Sequence, residues 1–355
     1  MPWYASKSAK SGKLGRLKLT SNRKEVSPLL GSALLSLALF LLAPGASAKW
    51  KYFRAGNAAD STATPRAGFA LMGGGEQDPA LKNLCERANG GDFLILRANT
   101  EDDYAQKVNE EMRALCPLNS AATIVFSERE DSDNPKLLER IGQAEAIFIA
   151  GGDQANYVRF WQDTPVEEAL NRHIAAGKPL GGSSAGLAVL GEFSFSSMID
   201  TIHSPAALAD PYDNKVTISR DFLRIPLLTG IITDTHFAKR DRMGRLLVFL
   251  ARILQDGWAK QVRAIAIEEG AAVLLEPDGQ AKVIGSGPAY FLEAKNLPSV
   301  CQRQTALGFS GIKVHRSPTG TSFNVKDWKG TGGDDYQLSV VNGVVNAAGS
   351  NHGIY

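Results

Sequence analysis

From about residue 66 onward, short apolar runs alternate with longer amphipathic stretches. The runs are Gly68–Met72, Phe93–Leu96, Ala122–Phe126, Ala146–Ala150, Pro179–Ser183 and Gly230–Thr233. None shows strict polar alternation, so they predict strands buried on both faces of a parallel sheet. The clearest helix spans Thr164 to Gly177: Thr164 and Glu167 form a T-x-x-E capping box, Pro165 takes the first helical position and Gly177 can close the end. Val166, Leu170 and Ile174 give it a core-facing stripe. Strand and helix in alternation predict a doubly wound, mostly parallel α/β sheet, with ligands expected beyond the carboxyl ends of its strands.

After a helix expected over Arg240–Leu254 the pattern changes to short runs that read as antiparallel strands: Arg263–Glu268, Ala271–Glu276, Lys282–Gly285 and Ala289–Leu292. Further on, Asn342-Gly343 between Asp335–Val341 and Val344–Val345 is a hairpin signal. The expected organisation is a polar lead-in over 49–65, a main domain over 66–295 and a β-rich extension over 296–355 packed against it.

The first 48 residues differ from the rest. Seven Lys or Arg lie in the first 25 positions against the single acid Glu25, followed by an apolar run from Leu29 to Ala43 and then Ala46-Ser47-Ala48. A basic arm, an apolar run and an A-x-A end mark a signal peptide cleaved after Ala48. A membrane anchor is the alternative, but Gly31, Ser32 and Ser36 interrupt a run shorter than the ~20 residues a span needs. Cleavage leaves 32 basic and 36 acidic residues, a net charge of −4, which gives no bulk attraction to nucleic acid. The expected destination is the periplasm or the outside of the cell, with no membrane attachment after cleavage.

Apolar residues at 44% and charged residues at 21% exclude a disordered or coiled-coil chain. Cys85, Cys116 and Cys301 allow one disulfide and one leftover thiol in an oxidising compartment, with the pair left open. No C-x-x-C, H-E-x-x-H or EF-hand spacing occurs, so neither a metal site nor a cofactor is expected.

Gly182-Ser183-Ser184-Ala185-Gly186 satisfies G-x-S-x-G between an expected strand and an expected helix. Flanking glycines let such a turn project its serine, while the Ala185 amide opens the helix and can bind an oxyanion. An ordinary Gly-rich helix cap would carry the same letters. Among five histidines, His236 follows Gly230–Asp234 and would emerge at a strand's carboxyl end on the same rim as Ser184. His173 lies mid-helix among polar neighbours and reads as solvated, His315 and His352 belong to the β-rich tail, and His203 in a loop stays a rival base. The carboxylate that fixes the imidazole tautomer is sought among Glu192, Asp200, Asp210 and Asp234, with Asp200 favoured. Two more Gly-rich turns follow strands, Gly73–Asp78 and Gly151–Gln154. Either could supply a second oxyanion donor, and Gln154 could bind a substrate amide. Arg240, Arg242 and Arg245 crowd the expected start of a helix, where the dipole opposes cations. A substrate carboxylate would explain them; pairing with Asp241 would too.

Together, MGGG at Met72–Gly75, AGGDQ at Ala150–Gln154, GGSSAG at Gly181–Gly186, DPY at Asp210–Tyr212 and DTHFAKRDRMGRL at Asp234–Leu246 resemble peptidase family S51, the cyanophycinases and aspartyl dipeptidases. The resemblance implies a fold like class I glutamine amidotransferases, a Ser184–His236 pair, and binding roles for Gln154, Arg242 and Arg245. It further implies a homodimer and a substrate such as cyanophycin, cut at aspartyl (iso)peptide bonds to β-Asp-Arg dipeptides. Two positions depart from the cyanophycinase pattern: Ser183 replaces a Thr before the nucleophile, and Thr235 replaces a Gln before the histidine.

The expectation is therefore an exported serine peptidase with catalytic Ser184, His236 and Asp200. Ala185 and Gly152 would form the oxyanion site, and Gln154, Ser183, Thr235, Arg242 and Arg245 would line the substrate pocket. A small-peptide aspartyl or isoaspartyl dipeptidase using the same residues is one alternative, and a non-catalytic exported binding protein is another.

Overall fold

The computed structural model describes residues 49–75, 78–98 and 105–355. The expected signal peptide lies outside the described residues. In chain order come β1 (Lys51–Gly56), β2 (Phe69–Met72), α1 (Asp78–Arg87), β3 (Gly90–Ala98), α2 (Ala105–Leu115) and β4 (Leu118–Phe126). Next are α3 (Pro135–Gln143), β5 (Ala146–Ile149), α4 (Gln154–Trp161), α5 (Pro165–Ala175), β6 (Leu180–Ser183) and α6 (Ala185–Ala188). Then follow β7 (Phe193–Phe195), α7 (Ser204–Ala209), β8 (Ile218–Arg220), β9 (Ile231–Asp234), α8 (Met243–Gln255) and β10 (Val262–Ile267). The remainder is strand: β11 (Ala271–Leu275), β12 (Gln280–Gly285), β13 (Ala289–Ala294), β14 (Phe309–Ser317), β15 (Ser322–Asn324), β16 (Lys329–Thr331), β17 (Asp334–Val341) and β18 (Val344–Ala348).

Among the described residues these strands make two sheets. The larger runs β1-β4-β3-β5-β6-β2-β11-β12-β15-β16, and its five strands from β4 to β2 are mutually parallel. The expected apolar runs build this parallel centre. The second sheet runs β18-β17-β14-β13-β10-β9-β7-β8. Burial follows the strand period of two: along β10, Ile265 and Ile267 enter the core facing the larger sheet, whereas Ala264 and Ala266 face α8. Helices α1 and α2 cover one face of the larger sheet, with Leu84, Cys85 and Met112 packed on Phe93, Ile95 and Phe148. Cys85 and Cys116 join these two helices in a disulfide, leaving Cys301 free and buried.

Four sequence expectations change. The lead-in is not irregular: Lys51–Gly56 pairs antiparallel with β4 as an edge strand. Gly230–Thr233 does not join the sheet of the other runs; β9 belongs to the second sheet, between β7 and β10. β10 pairs antiparallel with β13 as expected, but its other edge lies parallel to β9, because α8 carries the chain back across the sheet as a βαβ crossover. The C-terminal residues are not a separate layer, since β15 and β16 extend the larger sheet while β14, β17 and β18 extend the second. At the start of α5 the capping box is displaced by one residue. Glu167 accepts from the Asp163 amide at 2.6 Å, and the Thr164 hydroxyl donates to the Trp161 carbonyl.

Candidate active site

The larger sheet delivers a serine and the second sheet a histidine to the same point. Ser184 sits between β6 and α6 with φ 52° and ψ −115°, a strained backbone that aims its side chain away from the sheet. Its neighbours have no room for a side chain: a Cβ on Gly182 would lie 2.5 Å from the Gly186 carbonyl oxygen, and one on Gly186 would lie 2.0 Å from that of Ile149. α6 is thus pressed against β5, and only glycine permits it. Across the gap, the Thr233 hydroxyl of β9 donates to the Leu187 carbonyl of α6 at 2.7 Å and ties the two sheets together.

His236 follows β9 at φ 45°. Its Nε2 stands 2.8 Å from the Ser184 Oγ, and its Nδ1 stands 2.7 Å from a Glu269 carboxylate oxygen. A carboxylate only accepts, so Nδ1 carries the ring proton and the Nε2 lone pair faces the serine hydroxyl. Both ends of the imidazole are therefore satisfied. Burial drives the His236 pKa down to about 4, with Arg240 and Arg242 adding to the effect and the Glu269 hydrogen bond opposing it. Glu269 is itself held below the usual carboxylate range, first by its bond to His236. The ring is neutral and basic-side-out over the whole physiological range.

The turn after β2 holds these groups together. Met72 and Gly73 accept from the Ser184 and His236 amides at 3.1 and 2.8 Å. Gly74 accepts from the Gly270 amide at 2.6 Å, beside Glu269. A Cβ on Gly74 would fall 2.2 Å from His236 Cε1, so the turn forms a backbone wall against the imidazole. The Gly73 amide is itself bonded to the Ala271 carbonyl and so cannot serve as an oxyanion donor.

Asp200 is not the partner of His236. It is exposed, with its carboxylate on Lys215 Nζ at 2.8 Å and on the Thr201 amide. The other carboxylates weighed are engaged elsewhere: Glu192 accepts from the Gly230 amide, Asp210 from the Tyr212 amide and Asp234 from Arg245. Glu269 escapes a search confined to the interval between Ser184 and His236. The signal for it was present. Glu269 lies just past the carboxyl end of a strand parallel to β9, but that strand reads as antiparallel from sequence. His173, expected to be solvated, is buried and donates Nε2–H to the Pro179 carbonyl, and His203 makes no contact with Ser184.

The expected pocket residues divide. Arg245 is buried, and its Nε and Nη2 both donate to Asp234, so its charge is already paired. Thr235 is buried, and its hydroxyl and carbonyl accept from Arg242 at 2.9 and 2.8 Å. Ser183 is buried within β6, opposite Met72. Gln154 is half-buried at the start of α4 and donates to the Phe195 carbonyl. Gly152 lies on the exposed turn after β5, at the rim where Ser184 emerges. Arg242 keeps a partly exposed guanidinium near His236, its pKa lowered to about 9 chiefly by burial. Arg242 and Arg245 outnumber Asp234 by one charge, with Arg240 and Glu268 close by.

A serine hydroxyl bonded to an imidazole that is bonded to a carboxylate is the arrangement of nucleophilic hydrolases. Comparison with known proteins narrows the class. A model of peptidase family S51 matches residues 69–217. The cyanophycinase of Synechococcus elongatus is 25% identical over 272 residues, covering 73% of this chain and 80% of the relative. The chain is a serine-type peptidase similar to family S51 and its cyanophycinases. The cyanophycinase of Geminocystis herdmanii is 26% identical over 277 residues, 74% of this chain and 94% of its own. A peptidase structure from an acI-B1 actinobacterium shares the fold at a TM-score of 0.50 and 16% identity, covering 73% of this chain and 97% of that one. The chain thus has the mixed α/β fold resembling class I glutamine amidotransferases, extended by its C-terminal strands.

Two outcomes are expected for this peptidase. Glu269→Gln lowers kcat/KM by about 10²–10⁴-fold by releasing the Nδ1 tautomer, whereas Asp200→Asn leaves it near the wild-type value; equal effects of the two would reverse the assignment. Because the His236 pKa is lowered, the neutral base persists into acid, so the acidic limb of the kcat/KM profile falls near pH 4. A midpoint at or above 6.5, the ordinary histidine value, would contradict the buried, neutral imidazole.

Proposed function

We propose that this serine-type peptidase is an exported hydrolase of cyanophycin that cuts the aspartyl peptide bonds joining successive units and releases β-Asp-Arg dipeptides. Ser184 is the nucleophile, His236 the base and Glu269 the carboxylate that orients it. The continuous hydrogen-bonded line from Glu269 through His236 to Ser184 carries this reading.

In the first half-reaction His236 Nε2 takes the Ser184 proton and Oγ attacks the aspartyl carbonyl carbon. The developing oxyanion is received by the Ala185 amide at the start of α6, with Gly152 as the second donor. Collapse expels the amine of the next aspartyl unit, which takes the proton from His236 and leaves an aspartyl ester, still carrying its arginine, on Ser184. Water, deprotonated by His236, then cleaves the ester and restores the hydroxyl. The imidazolium formed in each half is supported by Glu269, which stays ionised. Arg242 holds a substrate carboxylate beside the scissile bond, where the surplus charge of the Arg242, Arg245 and Asp234 group favours an anion. No step calls for a metal.

Export is supported by the basic, apolar and A-x-A segments of residues 1–48 and by the Cys85–Cys116 disulfide, a bond that persists in oxidising compartments. Among the described residues no helix is long and apolar enough to cross a membrane.

Incubating residues 49–355 with cyanophycin and, separately, with small β-aspartyl peptides, then weighing the products, tests the substrate. The proposal expects soluble β-Asp-Arg dipeptide from the polymer. Turnover of small peptides with the polymer left intact would make the enzyme an isoaspartyl dipeptidase, and no turnover of either would reject the proposal.

A further inference from the structure

The helix that follows His236 starts without a cap of its own. The N-cap position of α8 is Arg242, whose side chain accepts nothing and whose positive charge opposes the helix dipole. Two hydroxyls from distant parts of the chain do the capping instead. Tyr355 Oη accepts from the Met243 amide at 2.9 Å, and Ser204 Oγ accepts from the Arg245 amide at 3.2 Å. Each then donates to Asp241: Tyr355 to its carboxylate at 2.8 Å, and Ser204 to its carbonyl.

Asp241 needs such a grip, because its φ of 47° is in the left-handed region that a side chain disfavours. His236, at φ 45°, begins the same turn. Such backbone persists only where the surroundings over-determine it. The turn is fixed at its start by the Gly73 carbonyl and in its middle by Glu268, which accepts from the Ala238 amide at 2.5 Å. Tyr355 fixes its end. Its ring also meets Phe237, the residue after His236, edge-on at 5.7 Å, and Tyr290 at 6.2 Å. Tyr336 Oη donates to the Ile354 carbonyl and holds this segment in place.

We propose that Tyr355 is a positioning residue for the reaction: by capping α8 and gripping Asp241 it holds the His236–Arg242 turn so that the imidazole stays on Ser184. An outside cap also frees position 242 for an arginine, whose guanidinium then bonds to Thr235 beside the site. The inference rests on the reading of Ser184 and His236 as the reactive pair, and it adds a residue more than a hundred positions away in sequence.

The opposite end of the same helix provides a matched control. Tyr212 Oη donates to Asp256, the C-cap residue of α8, at 2.6 Å, a bond of the same chemistry but away from His236. The second-order rate of inactivation by a fluorophosphonate, which needs the Ser184–His236 pair but no peptide pocket, is measured for the wild type, Tyr355→Phe and Tyr212→Phe, alongside melting temperatures. Both variants are expected to melt lower by similar amounts, and Tyr355→Phe alone to react about three- to tenfold more slowly, the size of one lost hydrogen bond. Asp241→Gly, which tolerates the positive φ but removes the acceptor, is expected to slow the reaction equally. An unchanged rate in Tyr355→Phe, or equal slowing in Tyr212→Phe, would overturn the inference. A wild type that the probe does not touch would instead sink the Ser184 reading, and this one with it.

Discussion

The turn at the end of β2 is the constraint on which the site depends. Three consecutive residues, Met72, Gly73 and Gly74, accept hydrogen bonds from Ser184, His236 and Gly270, and so meet the three segments that carry the hydroxyl, the imidazole and the carboxylate. These segments come from two sheets and are spread over 86 positions from Ser184 to Gly270. No local interaction could gather them. Backbone carbonyls at the end of a buried parallel strand can, because each needs a hydrogen-bond donor and the regular ladder stops there. The requirement for glycine follows: Gly74 lies flat against the imidazole, where any side chain would collide with the ring.

Strain and burial are concentrated at the same place. Ser184, His236 and Asp241 all adopt positive φ without being glycine, and each such residue costs of order 1–3 kcal/mol. The buried Asp234–Arg245 pair beside them stabilises only if both members stay, since removing one leaves a buried charge unpaired. The surrounding core over-determines the arrangement. Ile265, Ile267 and Phe291 of the second sheet pack in one cluster with Leu71 and Val273 of the larger one and Leu187 of α6. A neutral, buried imidazole is a consequence: desolvation depresses its pKa, while Glu269 retains the tautomer that leaves Nε2 open to Ser184.

Much of this was legible from residue patterns, and the main failure has one cause. The parallel centre of the larger sheet could be read from apolar runs without alternation, and the elbow at Ser184 from its flanking glycines. The nearness of Ser184 and His236 followed from both lying just past carboxyl ends of buried strands. Pairing partners, however, are not written in a strand's own letters. β9 is as fully buried as β5 yet joins the other sheet, and β10 reads like the antiparallel strands that follow it. That one misreading hid Glu269 and promoted Asp200, which is exposed and satisfied by Lys215. Arg245 misled differently, because sequence shows a cation near the site but not that Asp234 already neutralises it.

The most direct test of the account is to map a serine-directed phosphonate by peptide mass in the wild type and in Gly74→Ala, with melting curves showing that both are folded. The account predicts a single adduct on Ser184 in the wild type and its loss in Gly74→Ala, because the added methyl group occupies the place of the imidazole. An adduct on another residue, or undiminished labelling of Ser184 in the variant, would contradict it.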